Sequence, residues 1–167
     1  MPPLASPPAT RRFFGKYRGT VQNNIDPLLQ GRIQVRVPAV LGDSTLGWAL
    51  PCSPYAGPSV GLVSVPPVGA NVWVEFEAGD PDTPIYAGCF WGAGELPTVA
   101  TLPQIITLTT PAGSITIDGI TQQLAIKLAT GAAITLSPTG IDINAGPGQV
   151  SINGVRVSIN NGALDVI

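Results

Sequence analysis

The sequence predicts an all-β protein in two parts: a small closed barrel of short antiparallel strands, then a fibrous stalk of stacked strands. Three observations lead there. Apolar residues recur with a period of two along most of the chain, and 18 prolines and 20 glycines interrupt them too often for long helices. All the Phe, Tyr and Trp residues fall between Phe13 and Trp91. Beyond Trp91 the chain stays apolar, but only through Ile, Leu and Val in alternating pairs. Aromatic side chains supply much of the volume of a globular core. A segment of small pairs without them implies a thin core repeated along a line.

Residues 1–12, with Pro2, Pro3, Pro7, Pro8 and two arginines, read as an extended arm. The barrel spans 13–92. Its first strand is Tyr17 to Asn23, and Asn24 to Gly31 turns the chain at Asp26-Pro27. Arg32 to Val37 alternates cleanly, with Ile33, Val35 and Val37 on one face. Short strands follow at Trp48 to Cys52 and Leu62 to Val65. Asn71 to Glu77 sets Val72, Val74 and Phe76 against Trp73, Glu75 and Glu77, and Ile85 to Phe90 ends the unit. Five or six such strands close most economically into a barrel, which leaves no open sheet edge; the OB-fold is the five-stranded form. Nothing in the sequence reads as a convincing helix.

A linker over 93–104 leads to the stalk, 105–167. Its pairs are Ile106/Leu108, Ile115/Ile117, Leu124/Ile126 with Leu128, Ile134/Leu136, Ile141/Ile143, Val150/Ile152, Val155/Val157 with Ile159, and Leu164/Val166. Most lie seven to ten residues apart, with Gly or Asn between them, which marks a stacked β architecture. A unit of this kind buries two or three side chains at about 1.5–3 kcal/mol each. Ordering its backbone costs about 1–2 kcal/mol per residue. The units therefore need neighbours, and three chains around one axis supply them, each as one wall of a triangular prism. Ile115, Ile117, Leu124, Ile126, Ile134, Leu136, Ile141, Ile143, Val150, Ile152, Val155 and Val157 are then the axial core, and Leu164, Val166 and Ile167 the tip. Eight strands at about 4.8 Å spacing make a rod on the order of 40 Å long.

Composition points the same way. Charged residues make up 11 % of the chain against about 25 % in ordinary soluble domains, which suits an assembly that hides surface. The net charge of −2 predicts no strong attraction to nucleic acid. Its distribution sets six early cations, Arg11, Arg12, Lys16, Arg18, Arg32 and Arg36, against the next six charges, all acidic, Asp43, Glu75, Glu77, Asp80, Asp82 and Glu95. These are two solvated faces or two docking ends. Cys52 and Cys89 sit among apolar residues and read as small reduced core residues, with a bridge between them left open. No apolar run approaches a transmembrane span, and the start has no signal-peptide core, so synthesis in the cytoplasm is expected.

The barrel segment also carries a resemblance. Phe14-Gly15-Lys16-Tyr17-Arg18-Gly19-Thr20-Val21, Asp26-Pro27, Gln30-Gly31-Arg32-Ile33-Gln34-Val35-Arg36-Val37-Pro38 and Gly47-Trp48-Ala49 begin the series. Pro66 to Phe76 and Gly79-Asp80-Pro81-Asp82-Thr83-Pro84-Ile85-Tyr86-Ala87-Gly88 complete it. In order and spacing this resembles baseplate assembly protein V and the central spike proteins of contractile phage tails and injection systems. The resemblance implies an OB-fold barrel followed by an intertwined trimeric β-helix or β-prism spike. It implies a homotrimer that docks on a baseplate hub and is driven mechanically through a target membrane when a sheath contracts. A separate tip-cap protein is a further possible partner. The resemblance implies assembly into a phage tail or phage tail-like contractile particle, as a virion or as an extracellular or intracellular machine. On this reading the basic residues Arg11, Arg12, Lys16 and Arg18 are the hub-docking set.

No enzymatic chemistry is expected. The chain has no histidine, which excludes His-based triads, the usual zinc sites, and the His-x-His iron site found at the tip of some similar spikes. Some relatives insert a lysozyme domain between barrel and spike; Gly92 to Pro103 is too short for one. The carboxylate pairs Glu75/Glu77 and Asp80/Asp82 fall on a solvent face and in a turn. Asp118, Asp142 and Asp165 are either axial ion sites or solvated turn residues. No cofactor is implied. The competing reading is a free OB-fold module that binds oligonucleotide or sugar through Arg32, Gln34 and Arg36. The acidic remainder and the fibrous stalk weigh against it. A receptor-binding fibre would display aromatics or varied loops at its tip, and this chain has neither there.

Overall fold

The computed structural model describes residues 11–97 and 102–166, which separate into two compact units divided between Gly94 and Glu95. In the first, strands β1 (Tyr17–Asn23), β2 (Ile33–Arg36), β3 (Thr45–Pro51), β6 (Asn71–Phe76) and β7 (Pro84–Cys89) form a closed five-stranded barrel in the order β1-β2-β3-β7-β6. All neighbours are antiparallel except β3 and β7, whose parallel pairing of Leu50 with Ile85 and Pro51 with Tyr86 closes the cylinder. The alternation predicted for β2 and β6 is observed. Ile33, Val35, Val37, Val72 and Val74 are fully buried, while Gln34, Trp73 and Glu75 face outward and are half-buried.

Several local expectations change. β3 starts at Thr45 rather than Trp48 and brings Leu46 into the core. The strand expected over Leu62 to Val65 does not form. The pairing there is a two-residue hairpin, β4 (Ala56–Gly57) with β5 (Val60–Gly61), extended by the Leu62 N–H donating to the Tyr55 carbonyl. Pro66 and Pro67 follow and have no N–H to carry a ladder further. One helical turn, α1 (Pro38–Leu41), was not expected. Pro38 at its first position is preset for helix, and Gly42 ends it at φ 60°.

The aromatic residues fill the barrel only in part, with Phe13, Phe76 and Tyr86 in its buried core. Its centre is aliphatic, with Val21, Ile33, Val35, Val37, Leu46, Val72 and Val74 as the largest fully buried side chains. Phe13 and Phe76 belong to the same core cluster and stack with Tyr17, which packs against it, at centroid distances of 5.6–6.0 Å. Tyr86 is buried with its hydroxyl donating to the Gly31 carbonyl at 2.7 Å. The remaining rings lie outside. A barrel of this size has room for few rings, and β-branched side chains pack its pleated walls better. Cys52 and Cys89 are free and exposed rather than core residues.

In the second unit, β8 (Ile105–Thr110), β9 (Gly113–Asp118), β10 (Gln123–Leu128), β11 (Ala133–Ser137), β12 (Gly140–Ala145), β13 (Gly148–Asn153), β14 (Arg156–Ile159) and β15 (Leu164–Val166) form one eight-stranded sheet. Each strand pairs antiparallel with the next in sequence, so the sheet is a meander built from one chain. Two of its hairpins share a device. Thr110-Pro111-Ala112-Gly113 joins β8 to β9 and Ser137-Pro138-Thr139-Gly140 joins β11 to β12, each with the first hydroxyl donating to the glycine carbonyl.

Candidate trimerisation surface

The register of the sheet aligns its aliphatic residues into two unbroken ladders. Ile106, Ile117, Leu124, Leu136, Ile141, Ile152, Val157 and Val166 lie opposite one another strand after strand. Leu108, Ile115, Ile126, Ile134, Ile143, Val150, Ile159 and Leu164 form the second, two residues along on the same face. Side chains in between point the other way. There Thr107, Thr116, Ala125, Thr135, Asp142, Ser151 and Ser158 make a mainly polar row, with the Thr107 and Thr116 hydroxyls 3.0 Å apart.

The apolar face is uncovered in the single chain. Ile106 is 67 % exposed, Leu108 61 %, Ile117 51 % and Ile126 42 %. Scattered exposed aliphatics are ordinary, but a contiguous face of this kind marks an interaction surface. Each aliphatic side chain contributes about 1.5–3 kcal/mol when fully buried, and much of that remains unrealised here.

Most of the predicted axial residues lie on the ladders: Ile115, Ile117, Leu124, Ile126, Ile134, Leu136, Ile141, Ile143, Val150, Ile152 and Val157. Val155 does not. It sits in the turn before β14, 84 % exposed, and the pair on that strand is Val157 with Ile159. Ile106, Leu108 and Ile159 belong to the ladders although they were not assigned to the axis. Leu164 and Val166, expected at the tip, are the ladders' last rungs on β15; Ile167 lies outside the described residues. Asp118 and Asp142 alternate with ladder residues and so fall on the opposite face of the sheet. Asp118 accepts the backbone N–H groups of Thr121 and Ile120, which hold its carboxyl below the usual range. Among the described residues no three His, Cys, Asp or Glu side chains converge as metal ligands.

On the barrel, the expected docking cations are all held by their own chain. The Arg11 guanidinium lies 5.1 Å over the Phe13 ring, and Arg12 Nη1 donates to the Ala78 carbonyl at 3.0 Å. Lys16 pairs with Glu75 at 2.6 Å. Arg18 stacks on both Trp73 and Phe90, 5.2 and 4.9 Å from the ring centroids. The face of β2 is also committed. Asn23 Nδ2 donates to Gln34 Oε1, and Arg36 reaches toward Asp43 at 3.5 Å.

Arg32 is tied most firmly. Asp26, buried at 8 % exposure, accepts the backbone N–H groups of Leu28, Gln30 and Arg32, and Arg32 Nη2 lies 2.6 Å from its Oδ1. The guanidinium also stacks over Trp48 at 5.3 Å. This knot fixes the β1–β2 turn, where the sequence suggested only punctuation. Arg32 is the main reason the Asp26 carboxyl is held far below its ordinary 3.8, with the three backbone donors adding to it. A depressed carboxyl stabilises the fold fully above its unfolded value, and the contribution is lost as pH falls below 3.8 toward the folded value. Asp26→Asn is therefore expected to lower the barrel's melting temperature at pH 7 and to flatten its fall between pH 4 and pH 2. Parallel pH profiles of the two proteins in thermal denaturation would contradict this.

Comparison with known proteins fits this geometry. The family model described as the type VI secretion system/phage-baseplate injector OB domain matches residues 17–91. That described as the phage baseplate V C-terminal trimerisation domain matches residues 104–165, which hold the whole sheet to within one residue. The chain is also similar to the Type VI secretion system spike protein VgrG4b of Pseudomonas aeruginosa, 36 % identical over 76 residues. The match covers 42 % of this chain and 9 % of that protein, so the chain corresponds to a small part of that relative's length.

Proposed function

This chain belongs to the phage baseplate V and spike family, and from that we propose that it is the structural central spike of a contractile injection particle. The observation that carries the reading is the uncovered two-ladder face, on a segment that matches a trimerisation domain. Three copies, each contributing its meander as one wall of a prism, bury those ladders on a common axis and turn the Thr- and Ser-rich faces outward. Because each sheet pairs within its own chain, the prism form of the spike follows more naturally than one whose strands interleave.

In this arrangement the barrels dock on the baseplate hub, with Arg11, Arg12, Lys16 and Arg18 on the docking side, and the rod is driven through the target membrane by sheath contraction. The protein supplies rigidity and symmetry rather than chemistry. A separate cap protein at the end of the rod is compatible with its apolar last rungs, Leu164 and Val166. The competing ligand-binding reading is weakened by the side chains it would use, since Arg32 and Gln34 are already engaged within the chain.

Light scattering on the purified chain tests the reading. The expected mass is three times 17.1 kDa. A monodisperse monomer at micromolar concentration would refute the spike assignment.

A further inference from the structure

Two open hollows interrupt the apolar face, one on each side of Leu128. The first, about 250 Å³, lies between Leu128, Gly113, Ile115 and Ile126. The second, about 310 Å³, lies between Leu128, Ala132, Ile143 and Ala145. Their origin is local. Leu128 follows Leu124 and Ile126 on the same face of β10 and stands 53 % exposed, level with the small residues Gly113, at the start of β9, and Ala132, just before β11. Cavities of roughly 150 Å³ already admit a benzene ring, so each hollow has room for a branched aliphatic side chain.

We propose that each hollow is a socket for a ladder side chain of a second copy of this chain, and that Leu128 is the ridge between the two sockets that fixes the axial register of the trimer. The inference rests on the trimeric reading, because the hollows are continuous with the face assigned to trimerisation. In a ring of three, one lateral edge of each wall meets the opposite edge of the next. The hollows lie along the edge that contains Leu128 and Ala145. The other edge carries the ladder of Leu124, Leu136, Ile141 and Ile152. Bulky side chains on one edge thus face sockets on the other, and the edges fit head to tail. Lys127, the one charged residue that borders them, lies between Ile126 and Leu128 on β10 and so alternates to the opposite face, which leaves both sockets to an apolar side chain.

Disulfide trapping in the full chain tests this. In a Cys52→Ala, Cys89→Ala background, Ala145→Cys is combined in turn with Leu136→Cys, Ile141→Cys and Ile152→Cys. Ile141 and Ala145 are four residues apart on β12, about 13 Å at 3.3 Å per residue, beyond the ~7 Å Cα limit of a disulfide. Any bond must therefore join two chains. At least one pair is expected to convert most chains to covalent trimer under mild oxidation. The matching pair with Asn144→Cys, on the opposite face, should give none. A reduced variant that is trimeric but cross-links with no partner overturns the socket and leaves the trimer standing. A monomeric parent chain overturns both. Ala145→Phe supplies an independent measurement: filling the socket should lower the melting temperature of the trimer by more than 5 °C, whereas Asp142→Phe, exposed on the opposite face of the same strand, should not, and equal effects would also overturn the inference.

Discussion

Ile126→Asp is expected to abolish the trimer while leaving the barrel folded. Ile126 lies mid-ladder between Ile115 and Ile134 and is 42 % exposed in the single chain. One carboxylate at such a position is tolerable in an isolated sheet, where water reaches it. In the proposed trimer three carboxylates would meet on a dry axis. The effective penalty for burying an ion is still several kcal/mol each after relaxation, against the ~1.4 kcal/mol that shifts an equilibrium tenfold. Like-charge repulsion adds to it. Light scattering should show the loss of the trimer peak. Lys127→Asp, one residue along and facing the other way, should keep it. Recovery of wild-type trimer from Ile126→Asp would mean that the ladders do not face the axis.

The second large effect concerns a glycine. Gly140 opens β12 at φ 155°, and a Cβ there would collide with the backbone carbonyl oxygen of Ile152 on β13. That oxygen is held by the β12–β13 ladder and has no room to withdraw. Gly113 meets the carbonyl of Lys127 in the same way at the start of β9. Gly140→Val should therefore part β12 from β13 or displace their register. Overpacking costs about 1–3 kcal/mol where neighbours relax; a clash with paired backbone exceeds that range, and assembly applies it three times. The melting temperature of the trimer should fall by more than 10 °C. Gly146→Asn is the control: Gly146 has φ 72°, a left-handed turn that Asn tolerates, and open space around its Cβ position. Equal stability of Gly140→Val and wild type would show that the strands do not approach this closely.

Both predictions depend on register, which separates what was readable from what was not. Period two is visible in any strand, so the alternation of Ile33, Val35 and Val37, and most of the stalk pairs, could be read directly. The same periodicity cannot distinguish positions two residues apart. Val155, Val157 and Ile159 are equivalent in sequence. Pairing with Val150 and Ile152 selects the latter two and leaves Val155 in the turn. Leu62 to Val65 failed for a related reason: its pattern is strand-like, but the hairpin pairing stops at Leu62 and Pro66 follows.

The Asp26–Arg32 knot and the outer aromatic stacks were illegible for a different reason. Asp26-Pro27 signals a turn whatever the aspartate does. Only the folded turn shows three backbone N–H groups and a guanidinium converging on one carboxylate. Likewise nothing local places Arg18 between Trp73 and Phe90. The antiparallel pairing of β1 with β6, and of β6 with β7, brings residues distant in sequence onto one outer face.

By itself the sequence determined the all-β class, the change of character after Trp91, and an apolar face too poor in aromatics to close on itself, because these follow from composition and from a period fixed by the pleat. The tertiary structure decided the parallel closure of the barrel, the alignment of the two ladders, the hollows beside Leu128 and the commitment of the cations to their own barrel. Those depend on which strand lies beside which and at what offset, and pairing energies that set the offset come from contacts between residues far apart along the chain.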